Sequence, residues 1–255
     1  MMIDAHAHLD DDALAFFVES MGNRSRDQLF IVLSNSVDYD SSIKNLKLAE
    51  VHREVRPFVG IHPEIFAKRG NEALGESGLD YEVARIAGLL SRASGVGEIG
   101  LDDKYGSMEF QKYLMEKMLA LAEPTRLPIT FHCRGSVQDI LKVLSTFNVT
   151  GNVLFHWFAG SEAELRTLQA KDMFVSFGPS VLYSKRLGEL ARRSDQHLTL
   201  VETDSPTRFN GITGNSPGTP VLISSVVFKL GLIRGVSFQE MLQITNDNAL
   251  RYLQT

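Results

Sequence analysis

Eight short apolar segments recur along the chain and alternate with segments of helical periodicity. The segment 29–33 is apolar throughout, as expected for a parallel strand that is buried on both faces. The predicted strands are 2–6, 29–33, 57–62, 95–99, 127–132, 153–156, 173–177 and 198–201. Strands that alternate with helices at this spacing predict an α/β fold with a parallel sheet.

The strand count and the chain length favour a (β/α)8 TIM barrel. Such a barrel typically needs roughly 250 residues, and the chain has 255. An open, doubly wound sheet is the nearest alternative. No glycine-rich phosphate-binding fingerprint follows the first strand, which counts against that alternative. Since no domain boundary or low-complexity segment is visible, we expect one domain over residues 1–255.

The segments between the predicted strands have the features of helices. Apolar residues at helical spacing predict helices at 13–21, 41–54, 79–92, 107–123, 136–147, 182–194, 221–232 and 238–253. Capping boxes are predicted at 161–164 and 237–240. The segments 63–78 and 205–220 contain glycine and proline and are predicted to be loops.

Composition limits the classes of partner. The formal charge of −5 provides no global positive field and argues against a large sequence-reading DNA-binding protein. A nucleic-acid substrate remains compatible with this charge, because divalent cations would add local positive charge.

The single cysteine, Cys133, excludes an intramolecular disulfide and, with no visible signal peptide, predicts a cytoplasmic protein. No apolar run approaches the roughly 20 residues of a membrane span. The oligomeric state stays open.

Six side chains of metal-ligand type stand at or just after predicted strands. They are His6, His8, Glu98, His132, His156 and Asp204. In a barrel the carboxyl ends of the strands meet at one face, where catalytic residues lie. The first two histidines are two positions apart, so their side chains point to the same side of the strand. These residues therefore predict a metal site at the mouth of the barrel.

The number and type of these ligands predict a hydrolytic two-metal centre. Four histidines and two carboxylates exceed the three or four protein ligands of one zinc ion. Mixed nitrogen and oxygen ligands suit Zn, Mn, Ni, Fe or Co better than Ca. Centres of this kind activate water for attack on carbon or phosphorus. Arg134 follows His132 and can bind a phosphate in bidentate fashion, which favours a phosphoester over a neutral amide.

Some neighbouring residues have more than one interpretation. Glu98 could instead form an ion pair with Arg134. Trp157 and Phe158, which follow the ligand at the sixth strand, could belong to the core or form a rim on which a base stacks. The side chain of Cys133 is expected to point into the core.

Six motifs resemble those of the TatD family of metal-dependent hydrolases, within the wider amidohydrolase-like barrel group. They occur in order over nearly the whole chain, at 4–10, 60–63, 97–102, 127–134, 156–161 and 202–206. The most specific of them is Gly-Glu-Ile-Gly-Leu-Asp at 97–102. Trp157 is a departure, because many members have a small residue or cysteine at this position.

The resemblance implies a TIM barrel with one or two metal ions and assigns roles to its residues. One ion would be held by His6, His8 and Asp204 and the other by His132 and His156, with Glu98 as the bridge. Glu98 and Asp204 are the expected catalytic residues. The residues expected around the substrate are His62, Asp102 and Arg134.

The resemblance also implies an activity. Family members are described as Mg- or Mn-supported deoxyribonucleases, some of them 3′ exonucleases, and related proteins remove D-amino acids from tRNA. We therefore expect two divalent ions (Mg, Mn or Zn) and a phosphodiesterase that acts on single-stranded DNA or another phosphoester. The alternatives are hydrolysis of a small ester, amide or aminoacyl-tRNA bond at the same site, and a metal-binding protein without turnover.

Overall fold

Eight parallel strands form one sheet in chain order. The computed structural model describes residues 1–21, 30–69, 71–209 and 211–254. The strands are β1 (Met2–Ala7), β2 (Phe30–Ser34), β3 (Val55–Val59), β4 (Gly95–Asp102), β5 (Ile129–Arg134), β6 (Val153–Phe155), β7 (Phe174–Phe177) and β8 (Thr199–Val201). The predicted (β/α)8 barrel is confirmed. The predicted start of the second strand, Leu29, lies outside the described residues.

The barrel closes where β8 meets β1. Just beyond β8, the backbone N–H of Asp204 donates to the carbonyl oxygen of His6 at 2.9 Å. The N–H of His8 in turn donates to the carbonyl oxygen of Ser205 at 2.8 Å. These two bonds bring the ligand-type residues of the first and last strands side by side.

Ten α-helices cover or follow the strands in the described part of the chain. They are α1 (Ala15–Met21), α2 (Tyr39–Val51), α3 (Ile65–Arg69), α4 (Asn71–Ala87), α5 (Met108–Ala122), α6 (Val137–Leu144), α7 (Glu162–Gln169), α8 (Lys185–Arg193), α9 (Ile223–Arg234) and α10 (Phe238–Leu253). The capping box at Ser161 and Glu164 is confirmed. At α10, Ser237 accepts the N–H of Glu240, but the reciprocal bond is not seen in the described residues.

The segment predicted to be a loop at 63–78 is largely helical, so that prediction was wrong. Ile65 and Phe66 of α3 are buried in the core, and burial of apolar side chains outweighs the weak helix propensity of a glycine-containing segment. The glycine signal was still informative, because Gly75 has φ 50° and ψ 179° and divides α4 into two helical pieces.

The C-terminal helix plugs the end of the barrel opposite the predicted site. Tyr252 of α10 is fully buried and stacks on Phe58 of β3 at a ring-centroid distance of 6.2 Å. Its hydroxyl lies 2.9 Å from Oγ1 of Thr130, which precedes His132 by two positions on β5. The interior below the site is therefore filled, and ligands reach it from the other end.

No single helix in the described residues is long and apolar enough to cross a membrane. Pro220–Arg234 and Phe238–Leu253 reach that length and composition only as a pair, and they are bent by 110° relative to each other.

Candidate metal centre

Glu98 stands at the centre of the site, in the middle of β4, and is 2% exposed. Its Oε1 lies 2.7 Å from Nδ1 of His132 and 2.7 Å from Nε2 of His156. Its Oε2 lies 3.3 Å from Nε2 of His6 and 3.6 Å from Nε2 of His8. Each carboxylate oxygen thus faces its own pair of histidines.

Asp204 completes the group around the first pair of histidines. Its Oδ1 lies 3.3 Å from Nε2 of His8 and 3.5 Å from Nε2 of His6. The backbone of Asp204 has a φ of 47°, which is uncommon for a residue with a side chain and typical of functional sites. Thr207 donates a hydrogen bond to Oδ2 at 3.0 Å and so fixes the carboxylate.

The structure brings all six predicted ligands together. Three overlapping groups have ligand atoms within 4.8 Å of one another in the described residues: His6, Glu98 and His156; His6, His8 and Asp204; and His62, Glu98 and His132. Two unlike donor types, imidazole nitrogen and carboxylate oxygen, suit divalent metal ions. The Nε2 atoms of His6 and His8 approach to 3.3 Å, so a proton or a cation must lie between them.

In two histidines the ring nitrogen that faces away from the site is hydrogen-bonded, which selects the tautomer that a metal ligand needs. Nδ1 of His8 lies 3.0 Å from the carbonyl oxygen of Asn35, which can only accept, so in the neutral ring, the form that binds a metal ion, the proton sits on Nδ1 and the lone pair on Nε2. Nε2 of His132 lies 2.9 Å from Oδ2 of Asp102, which likewise leaves the lone pair on Nδ1, facing Glu98. Hydrogen bonds of this kind orient metal ligands.

His62 has the opposite tautomer. The backbone N–H of Glu64 donates to Nδ1 of His62 at 3.0 Å, so in the neutral ring the proton is on Nε2. Burial lowers the pKa of His62 to about 3, so the ring is neutral at pH 7. Nε2 points into the site, 3.4 Å from Oε1 of Glu98. Within the third group of ligand-type atoms, His62 therefore offers a hydrogen-bond donor rather than a lone pair.

The site is short of positive charge. Burial alone would raise the pKa of Glu98, but the charge on His156 holds it well below its ordinary range. Burial alone would lower the pKa of His8, but its hydrogen bond to Asp204 and the charge of Glu98 raise it to about 9. The pKa of His156 is raised well above its usual value by Glu98, against the effect of burial. Divalent cations would supply the charge that these carboxylates draw from protons, so the residues fit a metal centre.

Close backbone packing delivers Glu98 to this position. A Cβ atom on Gly97 would lie 2.7 Å from Oδ1 of Asn35 and 2.9 Å from Cβ of Thr130. A Cβ atom on Gly60, beyond β3, would lie 2.6 Å from the carbonyl carbon of Gly97. Larger residues at either glycine would push β4 away from its neighbours, and Glu98 with it.

Sequence reasoning did not identify the groups behind the ligands. Asn35 and Glu202 are both fully buried, and Glu202 was noticed only as part of the motif that contains Asp204. Oε2 of Glu202 accepts the hydroxyl of Ser176 at 2.5 Å, and Oε1 faces Nδ1 of His156 at 3.7 Å. The available signal was a carboxylate placed directly after the apolar strand β8, where burial requires a partner.

Five of the six ligands line a cavity of about 1050 Å³, and the sixth, His6, is fully buried behind them. Arg134 lines its mouth and is 52% exposed, with Nε 3.5 Å from Oδ1 of Asp103. In the described residues the ion pairs of Arg134 are with Asp102 and Asp103, so the alternative pair with Glu98 is not formed. Asp102 lies behind His132 and is not among the described residues that line the cavity.

The two aromatic residues after His156 differ in exposure. Trp157 is half-buried and lines the cavity, whereas Phe158 is 3% exposed and belongs to the core at the cavity edge. Cys133 was expected in the core but is half-buried and also lines the cavity, because β5 extends past it to Arg134.

Known proteins resemble the chain over its full length. Residues 3–254 match the sequence profile of TatD related DNases. The human protein named deoxyribonuclease TATDN3 is 24% identical over 262 residues, covering 98% of this chain and 93% of that protein. The Bacillus subtilis protein named as the uncharacterized metal-dependent hydrolase YabD is 22% identical, covering 98% of each.

Solved structures share the fold. The TatD homolog YjjV from Escherichia coli superposes with a TM-score of 0.83 at 23% identity, covering 100% of this chain and 98% of that one. A phosphotriesterase homology protein from E. coli superposes with a TM-score of 0.70 at 16% identity, covering 99% of this chain and 98% of that one. With its histidines and carboxylates gathered at the mouth of such a barrel, the chain belongs to the family of TatD-related DNases, which are metal-dependent hydrolases.

Proposed function

We propose that this enzyme is a metal-dependent phosphodiesterase that removes nucleotides from the 3′ end of single-stranded DNA. The observation that carries the proposal is the position of Glu98 between two pairs of histidines, at the bottom of a cavity whose mouth carries Arg134. A buried carboxylate among four imidazoles is costly without a cation, and a guanidinium at the entrance suits an anionic substrate.

Two ions are the number that the donor atoms favour. One set consists of Nε2 of His6, Nε2 of His8 and Oδ1 of Asp204, beside Oε2 of Glu98. The other set consists of Nδ1 of His132 and Nε2 of His156, beside Oε1 of Glu98. Because the two oxygens of Glu98 face different sets, this carboxylate is suited to bridge two ions.

The bound ions would lower the pKa of a water molecule and stabilise charge on the phosphoryl group. The chain supplies the remaining steps. Burial alone would raise the pKa of Asp204, but its hydrogen bond to His8 and the charges of His6 and His156 together lower it, so the carboxylate stays ionised. It can therefore orient the attacking water and accept its proton. Nε2–H of His62 can donate to a phosphoryl oxygen, and the guanidinium of Arg134 can bind the phosphate from the mouth.

The phosphoester class is supported by two related proteins. The human relative is named a deoxyribonuclease. The phosphotriesterase homology protein of the same fold carries phosphate in its active site. We also expect the enzyme to act in the cytoplasm, as the single cysteine suggests.

The test is a degradation assay with purified protein, Mg²⁺ or Mn²⁺, and single-stranded DNA labelled at the 5′ end. We expect a ladder that shortens by single nucleotides from the 3′ end and disappears in EDTA or with Asp204→Ala. Asp247→Ala, which removes an exposed carboxylate on α10, serves as the matched control. Intact DNA under all conditions, or equal cleavage by Asp204→Ala, would contradict the proposal. Hydrolysis of aminoacyl-tRNA without cleavage of DNA would assign the site to the carbonyl class instead.

A further inference from the structure

The cavity has two unlike sides. The side formed by the segments after β1 and β2 is acidic and carries Asp10, Asp11, Asp12, Asp38 and Asp40. The side formed after β5 and β6 is mostly apolar or small, with two charged residues, Arg134 and Glu164; its other members include Cys133, Val137, Trp157, Phe158, Ala159 and Gly160. In a closed barrel of eight strands these two sides lie across the mouth from each other. They therefore suit different parts of one substrate.

Trp157 is the largest side chain on the apolar side. It directly follows His156, one of the ligands of the metal centre, in the sequence. It is held from both ends: its backbone N–H lies 3.2 Å from Oγ of Ser176, and its ring packs on the buried Phe209 at a centroid distance of 5.7 Å. Its φ of 39° is unusual for a residue with a side chain, so the ring is held at the cavity by a less common backbone conformation.

In the described part of the chain, the indole ring of Trp157 has an unpaired N–H group and an exposed part of its surface that a ligand could contact. Within residues 1–21, 30–69, 71–209 and 211–254, its N–H has no hydrogen-bond acceptor, and the side chain remains half-buried. A core tryptophan would normally be covered and have its N–H paired. A fixed, partly open indole beside a reactive centre is instead suited to stack on a planar group of the substrate.

We propose that the apolar side is a base-binding subsite in which Trp157 stacks on the base of the nucleotide that is being released. The proposal rests on the proposed phosphodiesterase function and names the part of the substrate that the site recognises. Aromatic side chains stack on every base because each base has a π-face, so the subsite favours a heteroaromatic base without reading its sequence.

The acidic side determines how the rest of the substrate can lie. Lys44 is paired with Asp12 at 3.9 Å and Arg85 with Asp40 at 3.6 Å, so two cations face the five carboxylates, which are only partly neutralised. A continuing phosphate backbone would be repelled from that side. Arg134, at the end of β5, lies at the edge of the apolar side and is half exposed. The charges therefore favour entry of the strand from the side of Arg134, with its terminal nucleotide in the cavity.

The first test uses fluorescence, because Trp157 is the only tryptophan of the chain. The protein, in Mg²⁺, is titrated with deoxyadenosine monophosphate and, separately, with 2-deoxyribose 5-phosphate, which has the same phosphate and sugar but no base. We expect saturable quenching by the nucleotide and much weaker quenching by the sugar phosphate. Trp157→Phe verifies that the signal comes from this residue. Equal responses to both compounds, or none to either, would overturn the subsite.

The second test compares cleavage of two oligonucleotides, one with an ordinary 3′-terminal nucleotide and one with an abasic terminal unit. We expect the wild type to prefer the base-bearing end by about tenfold in kcat/KM, the size of one base–aromatic stack. Trp157→Ala should reduce this ratio towards one, and Trp157→Phe should retain part of it. Tyr183→Ala, which removes an exposed aromatic ring after β7, is the matched control and should leave the ratio unchanged.

The two tests separate the two proposals. Cleavage of DNA with the same preference ratio in wild type and Trp157→Ala would overturn the base subsite while supporting the phosphodiesterase. Quenching by the nucleotide alone, with no cleavage of any DNA, would support the subsite and overturn the phosphodiesterase.

Discussion

Oε1 of Glu202 lies 3.7 Å from Nδ1 of His156, and in the described chain neither buried atom has a hydrogen-bond partner. Nε2 of the same imidazole faces Glu98, so a metal ion bound through Nε2 leaves Nδ1–H directed at Glu202. Glu202 thus has the same position relative to His156 as the carbonyl oxygen of Asn35 has relative to His8, next to the ring nitrogen that faces away from the site. Glu202 is thus in place to orient a ligand without touching the metal itself.

Removing Glu202 should therefore weaken metal binding. We expect Glu202→Ala to reduce the affinity for Mg²⁺ by about 10–100-fold, the usual cost of losing a group that orients a ligand. Glu202→Gln should lose less, because its amide oxygen can still accept from Nδ1–H. Titration calorimetry measures the affinities, with the exposed Glu240→Gln as control. Wild-type affinity in a folded Glu202→Ala protein would show that the contact has no role in the centre.

A substitution at Glu98 should have a larger effect, because its two oxygens face both sets of ligands. Glu98→Gln keeps the size of the side chain but removes the charge that raises the pKa of His156 and His8. We expect kcat to fall by more than about a hundredfold, beyond the range for groups that only orient ligands. Steady-state kinetics on single-stranded DNA measure the loss, again with Glu240→Gln for comparison. Activity within tenfold of the wild type would exclude Glu98 as a bridge.

The sequence was most informative where residues of metal-ligand type stand at the ends of apolar segments that have the pattern of strands. Ligand types at the ends of apolar strands predicted the barrel and the joint position of His6, Glu98 and His156, since parallel strand ends share one face. Periodicity cannot show which side chain lies behind another. The contact between Asp102 and His132, and that between Glu202 and His156, depend on packing between neighbouring strands and appeared only in the structure.

Metal removal should lower the thermal stability of the protein. Ions that bind only the folded state stabilise it by about 2.7 kcal/mol at a hundredfold excess over Kd. For a chain of this size we expect EDTA to lower Tm by about 5–10 °C, with recovery when Mg²⁺ is restored in excess. Differential scanning fluorimetry measures the shift. Glu98→Gln should show a smaller shift, and a wild-type Tm that does not respond to EDTA would contradict a metal centre in the folded protein.

Asp4 gives a prediction about pH that concerns closure of the barrel rather than metal. Its Oδ1 accepts the backbone N–H groups of Thr203 at 3.0 Å and His6 at 3.2 Å, and its Oδ2 accepts the hydroxyl of Thr203 at 2.5 Å. The carboxyl group thereby joins β1 to the segment after β8. Complete burial raises the pKa of Asp4 from 3.8 to about 8, against these hydrogen bonds.

A raised pKa in the folded state means that the native protein holds a proton that the unfolded chain has released. The resulting stability is fully present below pH 3.8 and is lost as the pH rises through about 8. Asp4→Asn cannot ionise, so its free energy of unfolding should fall less between pH 6 and pH 9 than that of the wild type. Urea denaturation in EDTA measures both proteins, with Asp247→Asn as a control that should follow the wild type. Parallel pH profiles for wild type and Asp4→Asn would show that Asp4 does not carry this proton.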